Sequence, residues 1–440
     1  MNIIIKALKT INYRLFFAIL LIMLFPTIYQ TVRIFFLGSL PNEWGFNIAS
    51  QLSWVNLFYE IIQEALILPL FFILGKSLLD KNELLNKIKS GVLITSIIYF
   101  VLSFILFIFA RPLIIFMAQD KELIDATVNY VRLETVAALL STIFKFFFIV
   151  LITLKKDNYM YLTLVIQMLL SILFDTFFVS NLDISLKIGV NGIAITNIIV
   201  NFINIIFCIW LLKRENLYVF NKDKISFSWM KEWFHVGKFS GIESLIRNIV
   251  FSLMILRMVN LVSEQGSYWV ANNFIWNWLL LPSLALADLI KKEIGEEKNN
   301  IQSKTFGYIV LTGIFSLFWI GSVPLWKPFL KVVMNVEAYE TVYYIVLLQT
   351  AFYLTFIFNR IFDSIFYGVG RTDYMLIQSI CIDIFYYGIA FILYLNGIFV
   401  PSLLSISLLF GIGMTLDFIP TMILFRRMLK KMNMKIIING

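Results

Sequence analysis

Gly91-Val-Leu-Ile-Thr-Ser-Ile-Ile-Tyr-Phe-Val-Leu-Ser-Phe-Ile-Leu-Phe-Ile-Phe-Ala110 runs for 20 residues without a charge. A helix rises 1.5 Å per residue, so this stretch matches the ~30 Å hydrocarbon core of a bilayer. Working outward, the same reading finds stretches at about 15–38, 46–73, 131–153, 159–180, 189–212, 237–262, 268–290, 305–326, 341–366, 374–396 and 400–425. Backbone groups in hydrocarbon must be satisfied within their own segment, and the polar-in, apolar-out alternation of a barrel is absent, so the spans are expected to be helices. The expected fold is an all-α integral membrane protein of about twelve transmembrane helices.

Composition agrees. Of 440 residues, 60% are hydrophobic and 14% charged, where soluble chains carry about a quarter charged residues. With 20 Gly, 9 Pro and 44 Phe, the chain is not of the low-complexity type. No cleavable signal peptide is expected, since the apolar stretch from Leu15 is long enough to span and no small-residue cleavage site follows it. The net charge of +9 is read as membrane orientation and not as a nucleic-acid surface. If the N-terminus is cytoplasmic, 25 of the 36 Lys and Arg fall on that side and six (Arg111, Lys121, Arg132, Lys187, Lys327, Lys331) on the other. Both termini are therefore expected in the cytoplasm, in a multi-pass protein of the plasma membrane. Cys208 and Cys381 lie in different apolar segments without metal-ligand spacing, and His235 is the single histidine, so neither a disulfide nor a metal site is expected.

The longest polar connection, 213–236, contains Ile225-Ser-Phe-Ser-Trp-Met-Lys-Glu-Trp-Phe-His235, which mixes aromatics and charges as an interfacial helix does. It divides an N-terminal lobe at 1–212 from a C-terminal lobe at 237–440. The halves resemble each other. Trp54 in 49-ASQLSWVNLF matches Trp276 in 271-ANNFIWNWLL, Arg111-Pro112 matches Lys327-Pro328, and Asn191-Gly192-Ile193 matches Asn396-Gly397-Ile398. An even number of spans per repeat implies two six-helix lobes related by a pseudo-twofold axis along the membrane normal.

The run 175-DTFFVSNLDISLKIGVNGIAITNII resembles the region between the fifth and sixth helices of the MATE multidrug exporters. Further matches are 33-RIFFLG, 74-LGKSLLDKNELLNKIKSG, 120-DKELIDATVNYVRL, 236-VGKFSGIES and 366-FYGVGRTDYM. The resemblance covers nearly the whole chain, and much of it is shared with polysaccharide and lipid-precursor flippases. It implies a V-shaped pair of six-helix lobes exporting amphipathic compounds in exchange for Na+ or H+. Asp363 lies where several members have a functional Asp. Arg33 stands where many place an Asp, and Arg247 where some have a Glu, reversing the charge at both positions.

Ionisable groups within a span cost on the order of 2.5–3.5 kcal/mol at its centre on insertion scales, so they should face the interior, pair, or line a wet cavity. The candidates for ion coupling are Asp363, Glu64, Glu60 and Asp175, as carboxylates that could exchange a proton or bind Na+. Glu60 and Glu64 share a helix face and would repel unless they flank a cation, one is protonated, or a base lies between them. The candidates for substrate binding are Arg33, Arg247, Lys145 and Arg360, which could receive an anionic group, and Trp54 and Trp276, which could stack a flat ligand. The alternative for each charged residue is an ion pair that fixes helix register. No phosphate loop, paired-His motif or nucleophile elbow is present, so no enzyme is expected and energy must come from a gradient. The expected function is a secondary transporter exporting amphipathic organic compounds by cation antiport with alternating access. It needs no cofactor beyond a coupling Na+ or H+, and no partner beyond lipid and a small-molecule substrate, as a monomer. A flippase for a lipid-linked anionic precursor is the alternative, and a membrane-embedded enzyme or receptor a third reading.

Overall fold

Asp80 opens the Lys81–Ile108 helix by accepting hydrogen bonds from the backbone N–H of Asn82 and Glu83 at 3.0 and 3.1 Å, satisfying two orphan donors of the first turn. Phe100, Phe104, Ile105 and Ile108 of this helix face outward, while Ser90, Thr95, Tyr99 and Ser103 are buried. Apolar side chains outside and small polar ones inside is the arrangement expected when lipid is the solvent. The computed structural model describes residues 2–40, 44–154, 156–219 and 225–436, and among them there is no strand.

Ten helices among the described residues are long and apolar enough to cross a membrane, and each overlaps an expected span, although Lys81–Ile108 and Lys121–Thr153 begin ten residues earlier than expected. The expected span at 268–290 is a pair, Gln265–Leu279 and Leu281–Glu296, bent by 56° where Pro282 enters the second piece. The expected span at 46–73 is broken into Trp44–Ser50, Leu52–Ile62, a π turn at Gln63–Ile67 and Leu70–Gly75. Pro69 accounts for the break that follows the π turn, since it has no N–H for the carbonyl of Ala65 four residues earlier. The expected twelve spans thus become ten continuous helices, one bent pair and one fragmented segment, the last two being the second span of each sequence half.

The exposed backbone of the π turn is covered by the Met230–Phe251 helix. Ser240 Oγ donates to the Glu64 carbonyl at 2.9 Å and Trp233 Nε1 to the Leu66 carbonyl at 2.8 Å. Gly237 and Gly241 make the approach possible. A Cβ at 237 would lie 1.8 Å from the Ala65 carbonyl oxygen, and one at 241 would lie 2.8 Å from the Ala65 Cβ. This is small-residue packing of the kind that holds membrane helices together.

The expected connection at 213–236 falls partly on 220–224, outside the described residues, and the stretch expected as an interfacial helix begins just after them, at Ile225. From Met230 the same stretch is the start of the long helix, and Trp229 and Trp233 turn inward. Their rings stack at 4.9 Å, and Trp229 Nε1 donates to Ser90 Oγ at 2.9 Å. Buried acceptors for both indoles explain why these aromatics leave the interface.

Packing divides the chain into one unit of Ile28–Gly266 and another of Met1–Thr27 with Ser267–Gly440. The division differs from that of the sequence halves, because the Met230–Phe251 helix packs with the first unit and residues up to Thr27 with the second. The first unit has a core built on Trp54, Ile88, Phe146, Leu211 and Trp233; the second has one built on Phe16, Leu289, Tyr308, Phe366 and Phe425.

The Val190–Arg214 helix begins after Gly189, whose φ of +70° and ψ of −145° suit glycine alone. Nothing lies within 4 Å of a Cβ built there, so the demand is conformational. Gly189→Ala should cost about 1–3 kcal/mol, read as a lower melting temperature of the purified protein. Gly321→Ala, in open space within the Asn300–Pro328 helix, should not lower it.

Candidate functional site

In the Ile28–Gly266 unit, Arg33 and Asp175 form an ion pair. Arg33 Nε donates to Asp175 Oδ2 at 2.8 Å and Nη2 to Oδ1 at 3.3 Å, with Asp175 1% exposed. Arg33 Nη2 also donates to Asn197 Oδ1 at 3.0 Å, and Asn197 Nδ2 passes the chain on to Glu134 Oε1 at 2.9 Å. Glu134 is 3% exposed and also hydrogen-bonds Tyr130. The network holds one fixed cation and two carboxylates. The guanidinium thus supplies from within the protein the positive charge that Asp175 needs.

A second cluster is more open. Arg247 Nη2 meets Glu60 Oε1 at 3.1 Å, and Arg247 Nε lies 3.4 Å from Glu243 Oε1. Arg247 and Glu60 remain 41% and 38% exposed although both sit well inside apolar segments. Lys145 Nζ donates to Gln63 Oε1 at 2.9 Å. Glu60 therefore meets a base from another helix, while Glu64 falls in the π turn. Trp54 is buried, its Nε1 donating to Gln51 Oε1 at 2.9 Å, and it borders a cavity of about 250 Å³ with Leu57, Phe58, Leu113 and Asn248.

The other unit contains an acidic cluster. Gln378 Nε2 bridges Asp363 Oδ1 at 3.2 Å and Asp417 Oδ2 at 2.8 Å, and Asn359 Nδ2 donates to the same Asp417 oxygen at 2.9 Å. Asp417's foremost charged neighbour is Asp363, followed by Asp383, which opens the π turn Asp383–Tyr387. Asn359 Oδ1 and Gln378 Oε1 are buried and accept no hydrogen bond among the described residues. Among the described residues no Lys or Arg pairs with Asp417, and no group of three His, Cys, Asp or Glu is arranged to hold a metal ion.

In the same unit Trp276 donates from Nε1 to Tyr353 Oη at 3.0 Å, and its ring meets Phe356 at 5.6 Å. Arg360 lies over Phe356 with 6.0 Å from Cζ to the ring centroid. Its Nε is buried and donates to no acceptor among the described residues.

Of the expected residues, the structure joins Arg33 with Asp175, Arg247 with Glu60, and Arg360 with the aromatic group of Trp276. Glu134, Asn197 and Gln378 were not singled out. The signal for Glu134 was available, as an acid four residues after Tyr130 on the same helix face. Outside the spans, the Lys156 ammonium, 2.8 Å from Glu215, holds that carboxyl below its usual range.

No family model matches the sequence, and no curated protein does. Solved structures do. A multidrug resistance MATE family transporter of the MOP superfamily in an inward-facing conformation matches with a TM-score of 0.74 at 15% identity, over 92% of this chain and 95% of that one. A MOP superfamily transporter from Pyrococcus furiosus, described as having a binding pocket of reverse polarity that suggests a different function, matches at 0.69 with 16% identity over 96% of both chains. An outward-facing MATE transporter of the same superfamily matches at 0.67 with 17% identity, again over 96% of both. The chain has the two-lobe, all-helical fold of the MATE transporters of the MOP superfamily.

Proposed function

We propose that the protein is a secondary active transporter that exports amphipathic organic compounds in exchange for Na+ or H+ by alternating access. The observation that carries this reading is the Asp363–Gln378–Asp417 bridge. Two carboxylates joined through one amide, with no base paired to Asp417 among the described residues, repel each other when both are ionised. A proton or a hard cation relieves that repulsion, and the spare amide oxygens of Asn359 and Gln378 are of the ligand type such a cation prefers. Coupling is assigned here and not to Asp175, which already has Arg33. The paired states of Arg33 and Arg247 also weigh against a free basic cleft of the kind a pyrophosphate flippase would need. The cytoplasmic placement of both termini, in the plasma membrane, is part of the same proposal and rests on the distribution of Lys and Arg.

Proteoliposomes loaded with a fluorescent amphiphile and given an imposed Na+ or pH gradient test it. Flux should follow one of the two gradients, and Asp363→Asn or Asp417→Asn should reduce that gradient dependence by about tenfold or more. Wild-type flux that ignores both gradients would overturn coupled antiport.

A further inference from the structure

Four basic side chains lie inside the spans and were candidates for substrate contact, and three are answered by polar side chains. Arg33 meets Asp175, Arg247 meets Glu60 and Glu243, and Lys145 meets the Gln63 amide. Arg360 differs. Among the described residues it forms no ion pair, its Nε is buried without an acceptor, and its guanidinium lies 6.0 Å from the centroid of the Phe356 ring. Asp363, three residues on, is within reach on a helix, yet Gln378 holds its Oδ1.

An arginine more than half way along the Tyr339–Val369 helix, partly shielded and without an anion, is an expensive arrangement in a membrane segment. Its surroundings suggest what it serves. Trp276 presents an indole that is 37% exposed and pinned by Tyr353, and the Phe356 ring is near both this indole and the guanidinium. The result is an aromatic wall with one guanidinium at its edge, whose fork of donors fits a carboxylate bidentately. A cationic ligand would meet repulsion from Arg360, whereas a neutral one would leave the orphaned donor unanswered.

We infer that Arg360, Trp276 and Phe356 form a recognition site for an aromatic carboxylate, so that the transported amphiphiles are anionic or zwitterionic. The inference rests on the transporter reading for its biological meaning, but its test does not require transport. The protein is purified in lipid nanodiscs without any gradient, and equilibrium binding of dansylglycine is compared with that of its neutral amide, dansylglycinamide. Wild type should bind the carboxylate about tenfold more tightly, as a charge-assisted hydrogen bond implies. Arg360→Gln should abolish the preference, Arg360→Lys should restore part of it, and Trp276→Phe should weaken both probes alike. Equal binding of the two probes by wild type overturns the inference, whatever the variants do, and so does a preference that survives in Arg360→Gln. If the preference is found but flux follows neither gradient, the site stands and the coupled-transport reading falls.

Discussion

Gly237→Ala is expected to destabilise the protein by about 3 kcal/mol or more, at the upper end of what overpacking costs. The new methyl would sit 1.8 Å from the Ala65 carbonyl oxygen, which is backbone and cannot rotate aside. Gly241→Ala meets instead the Ala65 Cβ at 2.8 Å, a clash that can be removed. The double variant Ala65→Gly/Gly241→Ala should therefore recover much of the melting temperature lost by Gly241→Ala. Ala65→Gly should do nothing for Gly237→Ala. Rescue of both glycine variants, or of neither, would contradict the geometry at the π turn.

Asp175→Ala should cost about 3–5 kcal/mol, because it leaves the Arg33 guanidinium buried without its anion. Arg33→Met/Asp175→Leu should lose much less, since both charges are replaced by apolar groups of similar size. Thermal melting of the two single variants and the double variant forms a cycle, and a coupling energy near zero would mean that the pair does not neutralise itself inside the fold. The pair also bears on transport: Asp175→Asn should leave gradient dependence closer to wild type than Asp363→Asn does.

Hydropathy made most helix positions legible, because the demand of hydrocarbon for about 20 apolar residues is strong and local. It could not show that 46–73 is fragmented, since a break changes hydrogen bonding and not composition. Pro69 was the visible clue, but its effect depends on a helix that meets the turn through Gly237 and Gly241 much later in the chain. The charged residues were equally visible, while their partners were not. Glu60 and Arg247 are 187 positions apart, and Arg33 and Asp175 are 142 apart, so no spacing rule connects them. Asp363 gained its meaning from Gln378 and Asp417, which only the folded packing brings together.

The docking of Trp233 and Ser240 on the π turn also sets an order for biosynthesis. The Leu66 carbonyl emerges 167 residues ahead of the indole that will satisfy it. At synthesis rates of 5–20 residues per second, that interval is roughly 10–30 s. During it the Glu64 and Leu66 carbonyls lack the donors that Ser240 and Trp233 bring. The π turn therefore gains these side-chain donors only once the Met230–Phe251 helix has been made.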